Sequence, residues 1–154
     1  GIPFEVIPGI TAAQGCAASA AIPLTHRGLA TGVRFVTGHC REHAPLDLDW
    51  SGLADSGTTL VLYMGVAQIR LIATRLIEHG MPADMPVLAI ANGTLPDERR
   101  LASTLHGIAD AVTAEGLVNP VSFIIGDVAG LDLAVARPRA VPHLVAPLPE
   151  VANA

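Results

Sequence analysis

The cluster Thr25-His26-Arg27 has the residue types to bind an anion. It follows an apolar stretch and Pro23, which predicts a loop just beyond a buried helix, where a rigid scaffold can hold functional polar groups. Arg27 and His26 could grip carboxylates there, because a guanidinium offers a planar fork of donors. The alternative interpretation is that these cations cap the carboxyl end of the preceding helix.

Two further groups of residues have the chemistry of a metal site or a nucleophile. His39, Cys40 and His43 carry imidazole and thiol groups that zinc prefers, but the cluster lacks an obvious fourth ligand and is typical of a surface loop. Cys16 and Ser19 lie in an Ala-rich segment, where small residues serve packing rather than nucleophilic attack. We therefore predict neither a metal site nor a catalytic residue in this chain.

Glycines follow four of the predicted strands. They are Gly38, Gly65, Gly93 and Gly126. In open α/β sheets ligands bind where loops leave the carboxyl ends of strands, and glycine lets a ligand approach the backbone closely. The alternative is that these glycines only end strands. No glycine-rich phosphate loop of either common spacing occurs, which disfavours a nucleotide held through its phosphates.

The elements that must position these residues alternate between strands and helices. The predicted strands cover residues 4–7, 33–37, 58–64, 86–91, 101–105 and 120–125, and the predicted helices cover 12–21, 50–54, 67–79 and 108–114. Thr11 is the expected N-cap of the first helix, Pro23 its end, and Gly80 the C-cap of the third. The pattern predicts an α/β fold with a mixed, mostly parallel sheet flanked by helices.

Composition and charge narrow the classes of function. The 154 residues are 51% hydrophobic, 15% charged and only 3% aromatic, which predicts one core of Ala, Val, Ile and Leu. A net charge of −5 with scattered Lys and Arg disfavours nucleic-acid binding. No run approaches the roughly 18–20 apolar residues of a membrane span, and two cysteines without a leader pattern favour a reducing cytoplasm.

The two ends of the chain differ in character. The sequence opens at Gly1 and enters a strand-like run at once, so we expect it to be a segment of a longer protein. We predict that residues 1–130 form one domain together with its leading segment. Residues 131–154 hold four prolines and predict a mobile tail.

Six short motifs together resemble one known family. They are Pro8–Ala13, Gly15-Cys16, Ile22–Arg27, Thr37–His39, Tyr63–Gly65 and Asn92–Thr94. Their order and spacing resemble those of the uroporphyrinogen-III C-methyltransferases, a subgroup of the tetrapyrrole methylases whose domain also ends the sirohaem synthases. The resemblance covers roughly residues 1–130, and the run from Ile22 to Arg27 is its most specific part.

The resemblance implies the second, C-terminal domain of a two-domain enzyme that binds S-adenosylmethionine in the cleft between its domains. Carried over by position, the cofactor contacts are Thr11, Ala12, Met64 and Gly93. Free N–H groups at a helix start, a soft thioether and an accessible backbone would suit such contacts. Met64 as a plain core residue is the alternative.

The implied reaction transfers methyl groups from S-adenosylmethionine to uroporphyrinogen III and gives precorrin-2, on the route to sirohaem or cobalamin. The substrate has eight carboxylates, so Arg27 and then His26 are the candidate substrate ligands. The family's glycine-rich signature, cofactor loop and proton-transfer residues are absent here, so we expect the chain alone to be inactive. Expected partners are the N-terminal methylase domain and a second copy in a homodimer.

Two alternatives remain open at this point. The chain could be an inactive binding or assembly module, or it could belong to a methylase that acts on another precorrin or on a diphthine precursor. The cluster Thr25-His26-Arg27 disfavours a change of substrate.

Overall fold

The computed structural model describes residues 1–39 and 46–131. Its helices are α1 (Ala12–Ser19), α2 (Trp50–Leu53), α3 (Ile69–Glu78) and α4 (Ile108–Ala114), and its strands are β1 (Gly32–Thr37), β2 (Thr58–Tyr63), β3 (Pro86–Ala91), β4 (Arg99–Thr104) and β5 (Val121–Ile125). The predicted tail lies outside the described residues beyond Leu131. Within the described ranges, no helix combines the length and apolar character needed to cross a membrane.

The five strands form one mixed sheet in the order β1-β2-β5-β3-β4. This confirms the predicted α/β fold with helices on a mixed sheet. The expectation that the sheet is mostly parallel is wrong, because among the strands of the described residues only β1 and β2 pair in parallel. The pairs β2–β5, β3–β5 and β3–β4 are antiparallel.

The order of connections explains the antiparallel pairings. Helical crossovers join strands that run in the same direction, and α2, α3 and α4 each form such a crossover. The loop between β3 and β4 is instead a hairpin, so it reverses the chain direction. α4 then returns the chain to β5, which runs with β4 and lies between β2 and β3, antiparallel to both.

One face of the sheet, here called the α3–α4 face, carries the larger apolar core. Ile69, Ile72 and Leu76 recur at helical spacing on α3 and pack on buried strand residues such as Leu62 and Phe123. As predicted, the helix terminates at a glycine. Gly80 has a φ of +103° and donates its N–H to the Ile77 carbonyl at 3.0 Å.

The opposite face, here called the α1 face, is covered by smaller residues. Cys16 and Ala17 of α1 pack with Ile90 and Ile124 of the central strands. α1 ends at Ser19 rather than at Pro23, because Ala21 adopts a left-handed φ of +56° and the next N–H closes back on Ala17.

The leading segment does not form the predicted strand. Residues 1–11 have no regular structure, and their apolar side chains are exposed by 79–90%, with Phe4 at 88%. Among the described residues no strand lies beside 4–7 to complete its backbone hydrogen bonds. A strand pattern alone is therefore insufficient there, because a strand needs a pairing partner.

Candidate functional site

The carboxyl ends of β1, β2 and β3 meet at one edge of the sheet, here called the carboxyl edge, because these three strands run in the same direction. Gly38, Gly65 and Gly93 follow them there. Gly126 does not, because it follows β5, which runs the other way; its N–H donates to the Pro86 carbonyl at the start of β3 at 3.0 Å. The prediction of a shared edge is therefore wrong for Gly126.

The chain turns tightly where β1 and β2 reach the carboxyl edge. A Cβ at Gly38 would lie 2.8 Å from the Cα of Gly65, so glycine is required where the two backbones touch. Met64 precedes this contact with a left-handed φ of +53°, and 54% of its side chain is exposed. Met64 is thus available to a ligand, and its interpretation as a plain core residue is wrong.

α1 begins at the same edge with a capping box. The Thr11 hydroxyl accepts a hydrogen bond from the Gln14 N–H at 3.3 Å, and the Gln14 side-chain oxygen accepts one from the Thr11 N–H at 2.9 Å. The Tyr63 hydroxyl accepts a third from the Ala13 N–H at 3.1 Å. Among the described residues, the Ala12 N–H is the first-turn donor left without a partner.

The loop after β3 lies directly against α1. A Cβ at Gly93 would come within 2.3 Å of the Cys16 sulfur, and one at Gly15 within 3.1 Å of the Thr94 methyl group. Burial raises the pKa of the Cys16 thiol, and a hydrogen bond with Ser122 offsets this only in part. Cys16 is thus a packing residue, and Gly93 has a packing role independent of any ligand.

A polar network, here called the Glu98 clasp, ties that loop to the end of α1. Glu98 accepts hydrogen bonds from the Thr94 N–H and the Arg100 side chain, both at 2.6 Å, and Arg100 also donates to the Ser19 carbonyl. Burial by itself raises the pKa of Glu98, but hydrogen bonds from Thr94, Ser19 and Arg100 outweigh it and lower the pKa. The cation at the carboxyl end of α1 is therefore Arg100, and the interpretation of Arg27 as its cap is wrong.

No role was predicted from the sequence for Tyr63, Glu98 or Arg100, although Tyr63 lies in the motif Tyr63–Gly65. A role for Tyr63 could have been predicted, since it is the one tyrosine of the chain and places a hydroxyl at the end of an apolar strand. The Glu98 clasp could not, because Ser19 and Arg100 are joined across 81 positions of sequence.

The structure does not bring Arg27 and His26 to the carboxyl edge. Their exposed loop closes through the His26 N–H to the Ala30 carbonyl at 2.9 Å. The next residue, Thr31, donates to Gly57 just before β2, so the loop lies near the amino ends of β1 and β2. A six-residue strand separates the two edges by roughly 17 Å.

The possible metal cluster falls partly outside the described residues, which include His39 but not Cys40 or His43. In the part of the chain that the structure describes, no three His, Cys, Asp or Glu side chains are grouped to hold a metal ion.

Comparisons with known proteins place these features in a family. The sequence model of the family Tetrapyrrole (Corrin/Porphyrin) Methylases matches residues 1–109 of this chain. The chain is 56% identical over 139 residues to uroporphyrinogen-III C-methyltransferase of Paracoccus denitrificans, covering 90% of this chain and 48% of that protein. It is 46% identical over 128 residues to siroheme synthase of Gluconacetobacter diazotrophicus, covering 83% of this chain and 27% of that protein.

A solved structure shares the fold as well as the sequence pattern. Uroporphyrin-III C-methyl transferase of Thermus thermophilus, complexed with S-adenyl homocysteine, superposes with a TM-score of 0.67 at 34% identity. The match covers 83% of this chain and 52% of that one. The chain thus spans about half the length of the Paracoccus and Thermus proteins.

Proposed function

The chain belongs to the tetrapyrrole methylase family, and on that premise we propose that it supplies the second half of a cofactor cleft in a uroporphyrinogen-III C-methyltransferase. The enzyme would use S-adenosylmethionine and give precorrin-2, on the route to sirohaem or cobalamin. One observation carries the proposal. The Tyr63–Ala13 hydrogen bond brings the start of α1 and the end of β2 together at the carboxyl edge, where Ala12 and Met64 flank the bonded pair.

The residues at this edge fit S-adenosylmethionine. The Ala12 N–H lacks a partner among the described residues and suits a carboxylate or another polar ligand atom. Thr11 holds that donor in place through its capping box. The exposed side chain of Met64 offers a soft wall for an adenine ring or a thioether.

Gly93 would contribute in a different way. A Cβ added at Gly93 would collide with the Cys16 sulfur, so the absence of a side chain lets the loop pack on α1. We therefore propose that Gly93 contacts the cofactor through its peptide groups, which this packing holds at the carboxyl edge.

The chain's own residues bind and orient the reactants. When bound, S-adenosylmethionine supplies the methyl group from its sulfonium, and alignment of donor and acceptor provides much of the acceleration of such a displacement. Glu98 is held as a carboxylate by three donors that lower its pKa, so it is a poor proton acceptor. We propose that residues outside this chain transfer the protons.

Arg27 and His26 are proposed to bind substrate carboxylates. Their chemistry supports this role, because both side chains are exposed and the N–H groups of a guanidinium or an imidazole can donate hydrogen bonds to carboxylates. They lie at the edge opposite the proposed cofactor contacts. In the two-domain enzyme formed with the N-terminal methylase domain, Arg27→Ala should raise the KM for uroporphyrinogen III several-fold and leave the KM for S-adenosylmethionine unchanged. A higher KM for S-adenosylmethionine with an unchanged KM for uroporphyrinogen III would exclude the carboxylate role.

We further propose that this chain is joined to an N-terminal methylase domain, and that the resulting two-domain enzyme is a cytoplasmic homodimer. Cys16 is a buried free thiol, which suits a reducing compartment. Light scattering of the assembled enzyme would measure its mass, and a monomer at working concentration would contradict the dimer.

The test is a chimera in which this chain replaces the matching 139-residue region of the Paracoccus relative. We expect the chimera to bind S-adenosylhomocysteine in calorimetry and to transfer labelled methyl groups to uroporphyrinogen III. A folded chimera that binds S-adenosylhomocysteine but methylates only another precorrin would overturn the substrate assignment. A folded chimera without binding would favour an assembly module.

A further inference from the structure

We infer that Tyr63 is a positioning residue, which fixes the relation between Ala12 and Met64, two of the proposed cofactor contacts. The inference rests on the proposed function and deepens it. Nothing in the resemblance assigns a role to Tyr63, whose importance comes from one contact between distant parts of the chain.

Tyr63 joins the end of β2 to the first turn of α1. It is the last residue of β2, and its hydroxyl accepts the hydrogen bond from the Ala13 N–H at 3.1 Å across 50 positions of sequence. Met64 follows it directly, and Ala12 directly precedes its bonding partner. One side chain therefore sets the spacing of both proposed contacts.

The ring of Tyr63 is itself held in place. It stacks on Phe35 of β1 with ring centroids 6.3 Å apart and planes inclined by 10°. β1 and β2 are paired along their full length, so the backbones that carry the two stacked rings are held together by the strand pairing. The hydroxyl thus reaches α1 from a fixed platform.

The hydroxyl also decides which donors α1 offers. The capping box satisfies the N–H groups of Thr11 and Gln14, and Tyr63 satisfies that of Ala13. Ala12 is left as the first-turn donor without a partner in the described ranges. Removing the hydroxyl would expose a second donor and release the start of the helix.

The far end of α1 is anchored separately. Arg100 donates to the Ser19 carbonyl, and the small residues of α1 pack on the sheet between the two anchors. Loss of the Tyr63 hydroxyl should therefore displace the start of the helix without unfolding it. This separation predicts a larger effect on ligand affinity than on stability.

The test is Tyr63→Phe in the chimeric enzyme, with S-adenosylhomocysteine as the probe. One lost hydrogen bond predicts a Kd about 2- to 10-fold higher in calorimetry, with a similar rise in the KM for S-adenosylmethionine. The KM for the tetrapyrrole and the urea midpoint should stay close to those of the unmodified enzyme. Phe35→Leu, which keeps the hydroxyl but removes the stacked ring, is the matched control and should raise the Kd less.

Two results would overturn the inference. One is an unchanged Kd for S-adenosylhomocysteine in Tyr63→Phe; the other is a parallel loss of affinity and stability that is equal in Tyr63→Phe and Phe35→Leu. Failure of the proposed function is distinguishable from both, because the unmodified chimera would then not bind S-adenosylhomocysteine at all.

Discussion

The two faces of the sheet are built on different principles. The α3–α4 face fills its core with large side chains, among them the fully buried Leu62 and Phe123. The α1 face is covered by Ala, Gly and Cys, and it leaves Phe35 half exposed. The volume of buried side chains stabilises the α3–α4 face, whereas a few contacts between specific atoms fix the geometry of the α1 face.

This difference explains why the proposed site lies beside α1. A helix of small residues approaches the sheet and the β3–β4 loop closely, as the Gly93–Cys16 contact shows. Three point contacts then fix its position: the Tyr63–Ala13 hydrogen bond, the contact of Gly93 with Cys16, and the Glu98 clasp.

The largest effect is expected on the α3–α4 face. Phe123→Ala should lower the free energy of unfolding by about 3–5 kcal/mol, because it removes a buried ring and leaves a cavity. Urea unfolding measures this. The control Val118→Ala, at a side chain that is 73% exposed, should stay within about 0.5 kcal/mol of the unmodified chain. Equal costs for the two variants would contradict the role of volume on this face.

A smaller effect is expected where α1 meets the β3–β4 loop. Gly93→Ala should cost about 1–3 kcal/mol, because its methyl group would come within 2.3 Å of the Cys16 sulfur. Adding Cys16→Ala should restore much of the loss, since the sulfur is then gone and the nearest remaining atoms, Ile90 Cγ2 and the Cβ of residue 16, lie 3.4 and 3.6 Å from the new methyl group. A double-mutant cycle in urea measures the coupling, and strictly additive costs would disprove the steric explanation.

The Glu98 clasp should contribute less and should depend on pH. Glu98→Gln at neutral pH should cost about 1–2 kcal/mol, because it weakens charge-assisted hydrogen bonds. The folded pKa of Glu98 is lowered, so its contribution to stability is complete above the ordinary pKa of a glutamate in the unfolded chain and is lost as the pH falls through the folded pKa. Urea midpoints from pH 3 to 7 should show this loss in the unmodified chain and less of it in Glu98→Gln. Identical profiles would argue against the clasp.

The smallest effect is expected outside both faces. Arg70 of α3 pairs with Asp110 of α4, and both side chains are mostly exposed. The hydrogen bond from Arg70 lowers the pKa of Asp110, but solvent screens such a surface pair. Asp110→Asn should leave the urea midpoint at pH 7 within experimental error. A clear loss of stability would mean that surface charge, and not only core volume, supports the α3–α4 face.

Local patterns in the sequence were sufficient for most elements. The predicted helix over 108–114 coincides with α4, and the apolar run at 58–64 contains β2. Residue periodicity and caps determine such segments within a few positions of sequence. The prediction of a strand at residues 4–7 was wrong because a strand also needs a neighbouring strand to pair with, and a local sequence pattern does not provide one.

Long-range pairing was not predictable in the same way. The insertion of β5 between β2 and β3 made the sheet mostly antiparallel and moved Gly126 away from the carboxyl edge. Thr11, Ala12, Met64 and Gly93 were identified through the resemblance, and their cofactor role remains a prediction. The Tyr63–Ala13 bond and the Glu98 clasp depend on contacts between distant residues, which neither composition nor spacing encodes.

The position of β5 has a consequence for how the protein is made. Of the strands in the described residues, β5 is synthesised last, yet it pairs with both β2 and β3, which are not paired with each other. Until Val121–Ile125 emerge, the sheet can exist only as two separate ribbons, β1–β2 and β3–β4, and α1 lacks the central strand on which it packs. Completion of the fold must therefore wait for nearly the whole described chain, and nascent chains released before residue 121 will expose unpaired strand edges that favour aggregation.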